Sequence, residues 1–124
     1  MNGNAKLPRI FVDDGAQFSA LCQQWRGAKS LALDTEFVRT STFYSNIGLL
    51  QIADLHACYL VDPLRISDWT EFSLLLSDSR CCFVIHSCSE DLNLLFTALK
   101  VLPARVFDTQ IAAAFLNMGY SVSY

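Results

Sequence analysis

Apolar residues in this chain recur with two periods, and the switches between them predict the order of elements. Phe18, Leu21, Cys22 and Trp25 fall at i, i+3, i+4 and i+7, the spacing of one helical face. A helix is therefore expected from Asp13 or Asp14, either of which can cap its start, to about Arg26, where Gly27 ends it. Arg9 to Val12, just before it, reads as a short strand. Leu31 to Phe37 is an apolar strand carrying acids at two positions, and a polar, aromatic loop follows from Val38 to Asn46. Leu49 to Ala53 and Cys58 to Val61 are short strand-like runs on either side of Asp54-Leu-His-Ala57, which suits an antiparallel hairpin.

The second half alternates helix and strand. Trp69, Phe72, Leu75 and Leu76 predict a helix over about Asp68 to Leu76, and Leu92, Leu95, Phe96 and Leu99 predict another over about Glu90 to Leu99. Between them Cys81-Cys-Phe-Val-Ile85 is a near-continuous apolar run, as expected of a strand covered on both faces. Val106 and Phe107 form a last short strand, and Asp108 or Thr109 caps a helix running to about Leu116. The order β-α-β-β-β-α-β-α-β-α is that of an α/β domain with helices packed over a mixed sheet. Arg9 to Val12 is expected outside that sheet, which leaves five strands within it.

Composition narrows the class. A chain of 124 residues is one domain at roughly 150 residues per domain. With 52% hydrophobic and 17% charged residues it has the makings of a core. Nine Lys plus Arg against 12 Asp plus Glu give a net charge of -3, so bulk positive charge is not how it would hold a polyanion. No apolar run is long enough to span a membrane, and the polar start is unlike a secretory signal. The five cysteines, an odd number with no C-x-x-C pair, are expected to be reduced and mostly buried, and the default location is the cytoplasm.

Acids within an apolar strand are the sharpest chemical signal. Asp34 and Glu36 lie two residues apart, so the pleat turns both carboxylates to one face. At about 4 Å and an effective dielectric near 20 two such charges repel by on the order of 4 kcal/mol. A divalent cation removes that conflict, and carboxylate oxygens suit Mg2+ or Mn2+ rather than zinc. The alternative is a strand end whose acids reach solvent or an arginine. Asp91 adds a third acid: in its helix Glu90, Asn93 and Thr97 share a polar face, whereas Asp91 lies with Leu94, Leu95 and Ala98 and leans toward the sheet. If the Leu31 and Cys81 strands are parallel neighbours, Asp91 starts its helix near the carboxyl end of the first, where open α/β sheets place their sites. An acid favoured by the helix macrodipole is the other reading of Asp91.

Taken in order, Leu33-Asp-Thr-Glu-Phe-Val-Arg-Thr40, Gly48-Leu-Leu-Gln-Ile52, Val61-Asp-Pro-Leu64, Ile85-His-Ser-Cys-Ser-Glu-Asp-Leu92 and Phe107-Asp-Thr-Gln-Ile111 resemble the ribonuclease D family of DEDD-type 3′-5′ exonucleases, over nearly the whole chain. The resemblance implies a ribonuclease-H-like fold and hydrolysis at RNA 3′ ends, with transfer-RNA precursors as substrates. It implies two divalent ions, Mg2+ or Mn2+, roughly 3.5 to 4 Å apart, with Asp34 bridging both, Glu36 on the ion that activates the nucleophile, and Asp91 on the other. Bound metal also lets an acidic domain accept phosphate. The family carries a further metal-binding Asp four residues after a Tyr, and no such pair stands in this chain. Residues 1–124 are therefore expected to form a catalytic domain incomplete at its C-terminal side and weak or inactive alone.

Secondary candidates surround these acids. Thr35 and Phe37 flank them and, by the resemblance, lie beside the 3′-terminal nucleotide, Thr35 acting through its backbone because its side chain alternates away. Arg39 and Tyr44 offer a cation and an aromatic face to phosphate and base. His86 ends its strand beside the expected site, either touching substrate or held as a structural histidine. Asp108 reads as a helix cap, and Cys88 near His86 lacks the arrangement of a thiol nucleophile. A protein that keeps this fold and binds nucleic acid or a partner without a complete metal site is the alternative function.

Overall fold

The computed structural model describes residues 6–38 and 46–118. Its elements run β1 (Arg9–Val12), α1 (Gly15–Gln24), β2 (Ser30–Val38), β3 (Asn46–Ala53), β4 (Cys58–Val61), α2 (Thr70–Ser77), β5 (Cys82–Ile85), α3 (Ser89–Leu99), β6 (Val106–Asp108) and α4 (Thr109–Phe115). Short 3-10 turns follow α1 at Trp25–Gly27 and β4 at Pro63–Arg65. Every element expected from the pattern is present, with ends displaced by up to three residues, the largest shift being the start of β3 at Asn46 rather than Leu49.

All six strands join one sheet, in the order β1-β4-β3-β2-β5-β6. This corrects the expected count of five: Arg9–Val12 lies inside the sheet, at its edge, parallel to β4 from Arg9↔Cys58 to Val12↔Val61. An edge strand needs only one paired side and one apolar face, and here Val12 is buried while Arg9 and Phe11 face outward. The β3–β4 hairpin is antiparallel, as expected, and β2 and β5 are parallel neighbours at the centre.

Alternation along the strands builds the core. Leu31 and Leu33 of β2, Leu50 and Ile52 of β3, and Phe83 and Ile85 of β5 are buried on one face, in a cluster with Phe18, Phe72, Leu76 and Leu95 from the helices, and Thr35 continues the buried alternation of β2. An aromatic trio joins α1 to α2, with ring centroids 5.5 Å apart for Phe18–Trp69 and 5.4 Å for Phe18–Phe72. The Trp25 ring meets Tyr59 edge-on, and its indole N–H donates to Asp54 Oδ2 at 3.0 Å, fixing the end of α1 to the hairpin turn.

On the opposite sheet face Ala32, Ala53 and Val84 border an apolar cleft of about 510 Å3 that Asp34, Gln51 and His86 also reach. The expectation that β5 is covered on both faces is corrected by its alternation, with Phe83 and Ile85 buried but Cys82 and Val84 partly exposed. A four-residue apolar run does not distinguish one covered face from two.

All five cysteines are free, and Cys22 and Cys81 are buried. Burial pushes the Cys22 thiol up to about 12, with Glu71 adding to it, so it behaves as a packing residue. Among the described residues no helix is long and apolar enough to cross a membrane.

Candidate functional site

The parallel ladder between β2 and β5 ends at Ala32↔Val84. Beyond it the two strands part, and β2 continues to Val38 with Asp34, Thr35, Glu36 and Phe37 along a cleft of about 370 Å3. The turn after β5 and the first turn of α3 form the other wall, with His86, Ser87, Ser89, Glu90, Asp91 and Leu94. Asp34, Glu36 and Asp91 thus line one cleft at the carboxyl ends of two parallel strands, where the sequence places them.

Each carboxylate has a different environment. Asp34 is half-buried and accepts a hydrogen bond at 3.3 Å from the Gln51 carboxamide, directly across the β2–β3 ladder. Glu36 is exposed. Asp91 is only 6% exposed; its Oδ1 accepts from the Thr35 backbone N–H at 3.0 Å and from the Thr35 hydroxyl at 2.6 Å. Burial pushes the Asp91 carboxyl up, the two Thr35 bonds oppose that, and the charge of Asp34 adds to it. An acid so placed gains from any cation bound between it and Asp34.

The β2–β3 ladder slips between Glu36 and Phe37, where Glu36 pairs with Leu49 and Phe37 with Ile47, leaving Gly48 as the extra residue. A Cβ on Gly48 would stand 2.5 Å from Val38 Cγ2, so a larger residue there would have to displace the Val38 side chain. The irregularity falls beside the acids and leaves Phe37 43% exposed at the cleft.

Five of the secondary candidates can be placed and two cannot. Thr35 and Phe37 line the cleft, and Thr35 is buried. His86 borders both clefts, and its Nδ1 lies 2.8 Å from the Thr109 hydroxyl, so it is held to the start of α4. Asp108 is the α4 N-cap, as expected, accepting from the N–H groups of Gln110 and Ile111. Arg39 and Tyr44 lie outside the described residues. Burial, together with a hydrogen bond to Asp108 and its charge, pushes the Cys88 thiol up to about 11, which removes it as a nucleophile at neutral pH.

Two partners were not legible in the sequence. Gln51 is the residue opposite Asp34, a pairing that strand register alone could have signalled. The other is the pairing of Thr35 with Asp91 through both hydroxyl and backbone N–H: the Thr35 side chain alternates away from Asp34, and α3 brings Asp91 to that side.

The donors are carboxylate oxygens, the kind that suits Mg2+ or Mn2+. Among the described residues, however, no three His, Cys, Asp or Glu side chains stand close enough together to hold an ion. Asp34 and Asp91 are each engaged, by Gln51 and by Thr35, and mutual repulsion works against closer approach without a cation.

A family model described as 3′-5′ exonuclease matches residues 9–124. Ribonuclease D of Pseudomonas paraeruginosa is 45% identical over 114 residues, which are 92% of this chain and 30% of that protein. The crystal structure of Escherichia coli RNase D, an exoribonuclease involved in structured RNA processing, superposes with a TM-score of 0.89 at 36% identity, covering 95% of this chain and 32% of that one. Trypanosoma brucei RNase D in complex with RNA U12 superposes with a TM-score of 0.76 at 27% identity over 86% of this chain and 39% of that one. This chain therefore spans about 30% of the length of the curated relatives it matches.

Proposed function

Because this chain belongs to the 3′-5′ exonuclease family, we propose that its acidic cleft serves to hydrolyse nucleotides from the 3′ ends of RNA, as part of a ribonuclease D-type exoribonuclease acting on transfer-RNA precursors. Residues 1–124 contribute three of the four metal-binding carboxylates of such a domain, since no Tyr-x-x-x-Asp occurs among them. The observation that supports this most is the bond from Thr35 to Asp91: it ties an acid of α3 to the strand segment bearing Asp34 and Glu36, so that acids from two elements share one cleft.

Asp34, Glu36 and Asp91 are the residues to hold two divalent ions, Mg2+ or Mn2+, which when bound supply an activated water and a counter-charge for the leaving 3′ oxygen. The chain's own groups do the rest. Thr35 fixes the orientation of Asp91, and Gln51 that of Asp34. Phe37 offers an exposed ring to the terminal base, Arg39 and Tyr44 meet the phosphate and base of the incoming strand, and His86 borders the nucleotide. Five free thiols accord with action in the reducing cytoplasm.

A second reading draws on the separation of the three carboxylates: a module that keeps the fold and binds RNA without cutting it. Isothermal titration with Mn2+ distinguishes the two. The parent chain is expected to take up the ion and Asp34→Asn to bind it more weakly; equal binding by both removes Asp34 from the site and leaves the second reading.

A further inference from the structure

One carboxylate joins the starts of two helices. Asp108 Oδ1 accepts from the N–H of Gln110 at 2.8 Å and of Ile111 at 3.3 Å, which caps α4. The same carboxylate reaches back about twenty residues along the chain, Oδ1 accepting from Ser87 N–H at 3.1 Å and Oδ2 from Cys88 N–H at 2.8 Å. That second pair of bonds falls on the turn leading into α3. Ser87 there has φ 55°, a left-handed conformation that a non-glycine residue keeps only where its surroundings hold it. Cys88, the N-cap of α3, gives that helix no side-chain cap. The start of α3 is thus fixed from outside, by Asp108, and reinforced by the His86–Thr109 contact.

Asp91 stands in the first turn of α3, three residues past Cys88. We infer that Asp108 is a positioning residue: by clamping Ser87 and Cys88 it sets α3 so that Asp91 meets Thr35 and faces Asp34 across the cleft. Its consequence for metal binding rests on the nuclease reading above; the positioning itself does not. Residues that orient a metal ligand from behind typically change affinity about 10- to 100-fold when altered.

Asp108→Ser is the informative variant, because serine caps a helix about as well as aspartate but is too short to span to Ser87 and Cys88. Asp108→Asn, which keeps one acceptor oxygen, is the conservative companion should the serine variant not fold. Asp14→Ala removes the cap of α1, away from the cleft, and controls for loss of a cap as such. Two readouts apply to each: hydrogen exchange of the Thr35 amide without metal, and Mn2+ affinity by titration. The expected result is Thr35 exchange about tenfold faster or more in the Asp108 variants, as for one lost hydrogen bond, with Mn2+ bound about tenfold more weakly and neither change in Asp14→Ala. A folded Asp108 variant with parental Thr35 exchange overturns the inference. Absence of Mn2+ uptake by the parent overturns the metal reading instead, while the Thr35 amide still decides the role of Asp108.

Discussion

Thr35 donates twice to a single oxygen of Asp91, through its backbone N–H at 3.0 Å and its hydroxyl at 2.6 Å. The first bond takes the place of a strand partner that β2 loses where its ladder with β5 ends at Ala32. The second compensates a carboxylate taken out of water. Thr35→Val keeps the β-branched shape and the N–H but deletes the hydroxyl. Leaving a buried acid short of one charge-assisted bond costs about 1–3 kcal/mol, so the urea midpoint of the variant is expected to fall by that equivalent. The Asp91 carboxyl should also move further up, because a group that holds it down is gone. A variant as stable as the parent would mean that the hydroxyl bond carries no weight.

Removing one charge from the cleft should act in opposite directions on stability and on metal binding. Asp34 raises the Asp91 carboxyl by direct charge repulsion, so Asp34→Asn relieves the metal-free protein by on the order of 1 kcal/mol. For a domain of this size that is a rise in melting temperature of about 4 °C. Stabilisation of the parent by millimolar Mn2+, through preferential binding to the folded state, should be lost or reduced in the same variant. Melting curves with and without Mn2+ test both halves; a fall in the metal-free melting temperature of Asp34→Asn contradicts the repulsion argument.

Asp108 supplies a pH dependence whose sign can be worked out. Burial favours its neutral form, but the bonds from the Cys88 backbone and thiol, and from the N–H groups of Ser87 and Gln110, outweigh that and hold the carboxyl well below the usual range. An unfolded aspartate titrates near pH 3.9, so between that pH and the lower native value the unfolded chain binds the extra proton. The stabilisation is complete above about pH 4 and declines as pH falls through the native value. Asp108→Ala should therefore cost about 2 kcal/mol at neutral pH, from the lost cap and the N–H groups left without a partner, and the gap between variant and parent should narrow below about pH 4. Urea melts at pH 7 and pH 3 measure it; a gap that widens in acid refutes the assignment.

The parts of this architecture legible in the sequence are those governed by local period. Phe18 to Trp25 and Leu92 to Leu99 announce their helices through spacing, and Asp34 and Glu36 stand out because acids interrupt an apolar strand. The burial of Asp91 beside Leu94 and Leu95 follows from the helical face, although Ala98 on the same side is exposed. Relations across the chain were not legible. Strand alternation puts the Thr35 side chain opposite Asp34, but it carries no information about which element fills the gap where two strands part. The cap at Asp108 is a local signal; its reach to Ser87 and Cys88 depends on β5 and β6 lying side by side. Edge pairing of Arg9–Val12 likewise rests on a partner more than forty residues away.

The register of Asp34 against Gln51 offers a test that separates support of the acid from support of the fold. Gln51 is partly buried and donates to Asp34 Oδ2 from the neighbouring strand. In Gln51→Leu the strand keeps an apolar residue of similar size, so stability should change little, while Asp34 loses its lateral partner and Mn2+ affinity should fall about tenfold. Gln51→Glu makes the sharper case, since it replaces a donor by a like charge directly opposite Asp34, a pairing that destabilises a sheet by roughly 0.2–1 kcal/mol. Adding Mn2+ should reverse that loss and stabilise Gln51→Glu by more degrees than it stabilises the parent, because the ion cancels a repulsion that the parent lacks. Equal Mn2+-induced shifts in the two proteins would place the ion away from Asp34 and remove that residue from the proposed ligand set.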